Sequence, residues 1–278
     1  MKKILFTKMQ GAGNDFVVID HVPGLDYCEF TKKVCNRHMG IGADGVLVLG
    51  ESTGCDYKMS IINADGSEAE MCGNGARCMA VYIKYKFAVV PEVFTMETLA
   101  GKIHASVSGE VASVQLSDPK DYRANVEIKI GEQKLSGHFI NTGVPHTVIF
   151  VEGLQEFDVD GLGSLIRHHK AFAPKGTNVN FVERVKDGVV AVRTFERGVE
   201  AETLACGTGS VASALIGYLQ AQKQILPGKN ATIRVATKSG ELLDVSFDLD
   251  VKNDKPVITN VWLKGSGKII CKGEYYGI

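Results

Sequence analysis

Two cysteines of this chain stand in one local context, 134 residues apart (206 − 72 = 134). Met71 to Met79 reads MCGNGARCM and Ala205 to Ser213 reads ACGTGSVAS. Cys72 and Cys206 each precede Gly-x-Gly and run into an apolar, helix-like segment, Ala76 to Tyr85 in one copy and Val211 to Gln220 in the other. The start of a helix leaves backbone N–H groups without intrahelical partners and carries positive partial charge, so a thiol there is displaced toward its thiolate. Glycines in the turn also let those N–H groups approach a bound anion, which makes each motif a cradle for a carboxylate or phosphate.

A thiolate and a thiol on opposite sides of a tetrahedral carbon can invert it, one removing a proton and the other delivering one to the far face. That is racemisation or epimerisation, and reversibility requires the pair to share about one proton and titrate as a unit. The helix terminus alone does not prepare the base. A thiol of pKa ~8.5 is a few per cent ionised at neutral pH, and about 0.3–1 kcal/mol from the dipole moves it by less than about one unit. His146, in Gly-Val-Pro-His, and Glu196, upstream of the second motif, are candidates to adjust the thiols and to fix a substrate ammonium. N–H groups at Gly73, Asn74, Gly207 and Thr208, converging on the reacting carboxylate, would stabilise a carbanion beside it. No pyridoxal-lysine signature is recognisable, and the expectation is a reaction without a cofactor.

The elements that must position these residues follow from periodicity. Ile4 to Phe6 and Phe16 to Asp20 read as strands around a turn at Gly11 to Asn14, Phe30 to His38 as a helix, and Val46 to Leu49 and Tyr57 to Ile62 as strands. Gly40 to Gly45, GIGADG, has the form of a dinucleotide fingerprint, but a strand follows where that motif needs a helix, so a Rossmann site is rejected. The helix after Cys72 is apolar on most of its circumference, which predicts burial inside its domain. Strands follow at Val93 to Thr98, Lys102 to Val107 and Val111 to Leu116.

After Asp118-Pro119 the pattern begins again. Gly13 in GNDFVVI answers to Gly143 in GVPHTVI (143 − 13 = 130), Asp44 in GADGVLV to Asn178 in GTNVNFV (178 − 44 = 134), and GSEAE at Gly66 to GVEAE at Gly198. With the cysteines, these matches in order argue for two homologous halves. The expected fold class is α+β, with two pseudo-symmetric halves, each a mixed, mostly antiparallel sheet wrapped around a buried central helix. The expected boundaries are 1–118 with 264–278 for the half carrying Cys72 and 119–263 for the half carrying Cys206, with the active site in the cleft between them. The strand-like tail from Val261 has no third copy to join and is expected to complete the first half.

Hydrophobic residues at 45%, charged residues at 23% and a formal net charge of -1 describe a globular chain without a basic field, which excludes nucleic acid and anionic membrane as partners. Seven cysteines, an odd number with no C-x-x-C pair, point to a reducing, cytoplasmic setting. MKKILFTK has too short an apolar run for a signal peptide, and no stretch approaches transmembrane length. Neither active cysteine has a second thiol or a histidine at ligand spacing, so no metal site is expected. Cys28, Cys35, Cys55, Cys78 and Cys271 read as inert core residues. His21, His38, His104, His138, His168 and His169 read as surface residues.

The segments KMQGAGNDFVVID, NADGSEAEMCGNGARC, GVPH, GTNVNF and FERGVEAETLACGTG resemble those of the diaminopimelate epimerases, in order and over nearly the whole chain. The resemblance implies pyridoxal-independent interconversion of LL- and meso-diaminopimelate in lysine and cell-wall precursor synthesis, with Cys72 and Cys206 as the acid–base thiols. It implies that Gly73, Asn74, Gly207 and Thr208 hold the α-carboxylate, that Asn14, Asn63, Asn178 and Arg197 hold the substrate, and that Glu196 takes an ammonium. Asn63, Asn178 and Arg197 would read the distal end, and His146 would tune the thiols. It also implies a homodimer acting on a small amino acid with two carboxylates. Two positions depart from the family pattern: Val144 replaces an asparagine, and Gly45 replaces the glutamine of some members. The alternatives are a racemase of another amino acid, a thiol–disulfide redox protein cycling Cys72 and Cys206, and a binding protein without turnover.

Overall fold

The runs Phe16-Val-Val-Ile and Val46-Leu-Val-Leu show no polar alternation because both faces of the sheet they join are covered. In the computed structural model, which describes residues 3–185, 188–222, 224–253 and 255–277, these runs lie in adjacent parallel strands, Asn14–Asp20 and Gly45–Gly50. Val17, Ile19, Val46 and Val48 pack on one face against Phe30 and Val34 of helix α1 (Tyr27–Val34). On the other face lies helix α2 (Gly73–Lys86), buried from Gly73 through Ile83 and packed against strands of its own unit on several sides. The chain divides into two such units, Met1–Gln115 with Lys264–Ile278, and Leu116–Leu263.

The ladder of the first unit starts with Lys268–Tyr275, antiparallel to Ile4–Gly11, and continues with Asn14–Asp20 antiparallel, Gly45–Gly50 parallel and Tyr57–Asn63 antiparallel. Val93–Thr98 then pairs parallel and Gly101–Ser108 antiparallel. In the second unit, Lys120–Ile130, Gln133–Asn141, Pro145–Phe150, Asn178–Arg184, Val189–Glu196, Gly228–Ala236 and Leu242–Lys252 repeat the same order of pairings: antiparallel, antiparallel, parallel, antiparallel, parallel, antiparallel. Helix α3 (Val159–Arg167) covers its outer face through Val159 and Ile166, against Ile149, Val179, Phe181 and Phe195. Helix α4 (Gly207–Ala221) lies on the other face, with Val211, Ala212, Ala214, Leu215, Ile216 and Leu219 buried. The fold is α+β, with two similar halves each built around a central helix.

Three features differ from the sequence expectation. Helix α1 begins at Tyr27 rather than Phe30 because Asp26 caps it, accepting from the Glu29 N–H at 3.1 Å, and it ends at Val34 where Asn36 captures the His38 and Met39 N–H groups. Helix α3 has no strong sequence signal, since Gly161 and Gly163 lower its propensity. It forms through the Asp158 cap, which accepts from the Gly161 N–H at 2.9 Å, and through its buried stripe. The parallel ladders pair Phe16 with Gly45 and His146 with Asn178, so the structural partner of Asn178 in the first half is Gly45 rather than Asp44. Face parity decides this: Val46 and Val48 point to the outer core, as do Val179 and Phe181, which leaves Leu47 and Asn180 as equivalent inward positions.

Candidate active site

Cys72 is the N-cap of α2, with extended backbone (φ −141°, ψ 116°) and its Sγ accepting from the Gly75 N–H at 3.4 Å. Its S–H donates to Asn14 Oδ1 at 3.6 Å. Asn14 Nδ2 in turn donates to Asp44 Oδ2 at 2.6 Å. A carboxylate only accepts, so Asp44 fixes which end of the Asn14 amide faces the thiol. Asp44 itself accepts from Arg37 Nη2 at 2.7 Å and from the Asp15 N–H at 3.1 Å. Asp15 is paired with Arg37 at 2.8 Å and Lys8 at 2.7 Å. Burial works to raise the Asp15 pKa, but the hydrogen bonds from Arg37 and Lys8 outweigh it and hold the carboxyl down at about 2. Asn63 ends its strand opposite Gly45, and the Ala64 N–H beside it donates to the Asp44 carbonyl at 3.1 Å. Asn63 Nδ2 donates to Ser67 Oγ at 3.1 Å.

Asn74 is buried, and its Oδ1 accepts from Arg77 Nη2 at 3.0 Å, so its side chain turns inward. Arg77 has 0% exposure and also donates to the carbonyls of Gly73 (3.3 Å) and Ser266 (3.2 Å). A buried guanidinium within the first turns of α2 adds positive potential to the helix terminus on which Cys72 sits. The departure at Gly45 has a local cause: a Cβ there would lie 2.6 Å from the Ile62 carbonyl oxygen, so the paired strand leaves no room for a side chain.

Cys206 is the N-cap of α4 (φ −107°, ψ 115°) and is buried, with Thr208 Oγ1 3.5 Å from its Sγ. Thr208 Oγ1 lies 2.9 Å from His146 Nε2, and the Thr208 carbonyl accepts from Thr142 Oγ1 at 3.0 Å. His146 has 0% exposure. Burial, then the positive charge of Arg197, push its pKa down to about 3. The imidazole is therefore neutral at physiological pH. Asn178, also buried, donates from Nδ2 to the Pro145 carbonyl at 2.9 Å and accepts at Oδ1 from the Arg197 N–H at 2.8 Å. Its amide thus ties the Gly-Val-Pro-His stretch to the Glu196-Arg197 stretch. Glu196 is half-buried and accepts from Thr203 Oγ1 at 3.0 Å, and the half-buried Arg197 donates from Nη1 to the Lys175 carbonyl at 3.2 Å. In the Val144 departure, the carbonyl accepts from the Thr142 N–H at 3.2 Å.

The first unit thus brings together Asn14, Asn63, Cys72, Gly73 and Asn74, and the second His146, Asn178, Glu196, Arg197, Cys206, Gly207 and Thr208. Three residues given no site role from the sequence belong beside them: Asp44, Arg77 and Asn180. The available signal was a polar residue in an apolar strand, Asn180 in Val-Asn-Phe-Val, and a charge at the start of a buried helix, Arg77 in GNGARC. Among the remaining cysteines, Cys35 and Cys78 are buried, and burial pushes the Cys35 thiol up to about 12. Cys28 and Cys271 are exposed and Cys55 is intermediate, so these three are not core residues. His138, in turn, is buried against Phe150 rather than on the surface. Among the described residues no group of three His, Cys, Asp or Glu side chains could hold a metal ion, and no helix is long and apolar enough to cross a membrane.

The family model described as diaminopimelate epimerase matches residues 6–120 and 138–258. The chain is 43% identical to a diaminopimelate epimerase of Hydrogenobaculum sp., covering 97% of this chain and 98% of that one. It is 44% identical to the protein of the same name from Aquifex aeolicus, covering 97% and 96%. In three dimensions it is similar to a Bacillus anthracis phenazine biosynthesis protein of the PhzF family, with a TM-score of 0.76, 16% identity and coverage of 99% of this chain and 100% of that one.

Proposed function

The chain belongs to the diaminopimelate epimerase family, and from that premise we propose that it interconverts LL- and meso-diaminopimelate by proton transfer between Cys72, Cys206 and the substrate α-carbon. The observation that carries the reading is the paired one: each half presents a thiol as the N-cap of a buried helix, where a thiolate is favoured. The thiolate takes the α-proton, so an S–H bond forms, the C–H bond breaks and the electron pair remains on carbon. The thiol then gives its proton to the opposite face, forming the new C–H bond and leaving a thiolate. The pair ends with the same single proton, on the other sulfur, which is what permits reversal. The chemistry requires both sulfurs to reach opposite faces of one α-carbon.

The N–H groups of Gly73, Asn74, Gly207 and Thr208 hold the α-carboxylate and take up the charge that develops as the proton leaves. Glu196 accepts the substrate ammonium, Asn14 binds from the first half, and Asn63, Asn178 and Arg197 read the distal end. The protein acts as a cytoplasmic homodimer in lysine and peptidoglycan precursor synthesis. Incubation with LL-diaminopimelate in deuterated water tests the chemistry. Meso product carrying one α-deuterium is expected, and recovery of undeuterated starting material sinks the reading. Light scattering at micromolar protein tests the dimer, which a monomeric mass removes.

A further inference from the structure

The two cysteine turns sit on different floors. In the first half, a Cβ added at Gly75 would meet Leu47 Cδ2 at 3.1 Å and Phe16 Cζ at 3.5 Å. In the second half, the positions in register with Phe16 and Leu47 are His146 and Asn180. A Cβ at Gly209 would lie 2.4 Å from Asn180 Oδ1 and 3.3 Å from Cys206 Sγ. Gly209 is therefore what admits a buried amide beneath the first turn of α4. Asn180 has 0% exposure, so every polar atom of it must be satisfied by protein.

Its hydrogen bonds leave one arrangement. Asn180 Nδ2 lies 3.1 Å from the Thr147 carbonyl oxygen, which can only accept, so the NH2 end of the amide faces that way. Asn180 Oδ1 accepts from Thr194 Oγ1 at 3.0 Å on the opposite side. The same Nδ2 lies 3.2 Å from His146 Nδ1. An NH2 group only donates, so His146 Nδ1 is an unprotonated acceptor and the ring hydrogen of the neutral imidazole is on Nε2. Nε2–H then donates to Thr208 Oγ1 at 2.9 Å. Thr208 Oγ1 lies 3.5 Å from Cys206 Sγ, and since a thiolate can only accept, the hydroxyl is the donor whenever that sulfur is ionised. Arg197 is the charged group that bears on the imidazole, and it acts in the same sense by disfavouring a second ring proton.

We propose that Asn180 is a positioning residue that sets the His146 tautomer and thereby aims a directed relay, Asn180 to His146 to Thr208, whose last hydrogen bond stabilises the thiolate of Cys206. The inference rests on the reading of Cys206 as one of the acid–base thiols. The relay explains how the second thiol gains the help that a helix terminus alone does not give.

The test needs no turnover. In protein labelled with 15N-histidine, two-bond 1H–15N correlation spectra at neutral pH, with His146 assigned by its loss in His146→Gln, are expected to show the Nε2–H tautomer. An Nδ1–H tautomer or an imidazolium overturns the proposal. Iodoacetamide modification of Cys206 as a function of pH, read by peptide mass spectrometry, gives the thiol midpoint, with Cys72 as internal control. Thr208→Val is expected to raise the Cys206 midpoint by about one unit, the size of losing one hydrogen bond to a charged group, while Thr208→Ser restores it. An unmoved midpoint in Thr208→Val, or a valine-like shift in Thr208→Ser, overturns the relay. In Asn180→Asp the carboxylate accepts, and the tautomer is expected to switch to Nδ1–H; retention of Nε2–H is also fatal. If that variant does not fold, the wild-type tautomer and the Thr208 pair decide. Correct tautomer and midpoints without epimerisation would leave the relay standing and remove the assigned reaction; epimerisation with the wrong tautomer would do the reverse.

Discussion

The turn at Cys72 and the turn at Cys206 are two copies of one device equipped with opposite hydrogen-bond polarity. At Cys72 a polar side-chain partner is an acceptor, Asn14 Oδ1, aimed by the Asp44 carboxylate, and the floor beneath is Phe16 and Leu47. At Cys206 it is a hydroxyl, Thr208, aimed by His146 and Asn180 from the same two floor positions. An acceptor favours the protonated thiol and a donor favours the thiolate. The two halves share the helix N-cap and differ in the side chains that face it.

The most severe break of the comparison removes either sulfur. Cys72→Ala and Cys206→Ala are each expected to lower kcat/KM for epimerisation by at least about 10³-fold with unchanged circular dichroism, because an inversion needs both a base and an acid. Substantial epimerisation by either variant would show that the two turns are not partners.

Exchanging the floors is the next test. Leu47→Asn buries an amide among apolar neighbours and is expected to cost about 2–4 kcal/mol in denaturant unfolding. The double variant His146→Phe/Asn180→Leu gives the second half the floor of the first. It is expected to fold and to lose up to about 100-fold in kcat, the cost of a slightly misplaced reacting group. Unaltered kcat would mean that the polar floor serves packing alone.

The glycines provide a finer measure. Gly209→Ala forces a methyl to within 2.4 Å of Asn180 Oδ1, whereas the tightest approach in Gly75→Ala is to the flexible end of Leu47 at 3.1 Å. Gly209→Ala should therefore lower both the melting temperature and kcat more than Gly75→Ala, and equal effects would remove the special status of the Asn180 approach.

Acid stability offers a separate measure, because there the halves answer to different groups. His146 titrates in the fold at about 3, below the ordinary 6.5, so its contribution is complete above 6.5 and is lost as pH falls toward 3. The expected slope is up to about 1.4 kcal/mol per pH unit. Asp15, held at about 2 against an ordinary 3.8, contributes above 3.8 and loses that contribution as pH falls toward 2. The melting temperature of His146→Phe should thus vary less than wild type between pH 6.5 and 3, while Asp15→Asn flattens only the lower window. Parallel profiles for His146→Phe and wild type would show that the histidine is not kept neutral by its surroundings.

Much of this was legible in the chain itself. The repeated Cys-Gly-x-Gly turn, the two apolar helices behind it, the strands and the duplication are local or periodic properties, and a sequence records those directly. Face assignment was less secure: Asn178 matches Asp44 in a sequence offset, but its counterpart in the parallel ladder of the first half is Gly45, because the outer-core residues Val179 and Phe181 fix the parity of the strand. Helix α3 was hidden by two glycines and exists through its cap and its tertiary burial.

Residue types alone therefore settled that two equivalent thiols cap two buried helices, and with them the class of chemistry. Tertiary structure decided which way each hydrogen bond runs. Asn14 and Asn180 are the same side chain, yet one offers its oxygen toward a thiol and the other its nitrogen toward an imidazole. The difference is made by a carboxylate thirty residues away in one case and a carbonyl from the neighbouring strand in the other. An amide has a donor end and an acceptor end, and only the groups packed on its far side determine which end faces the chemistry.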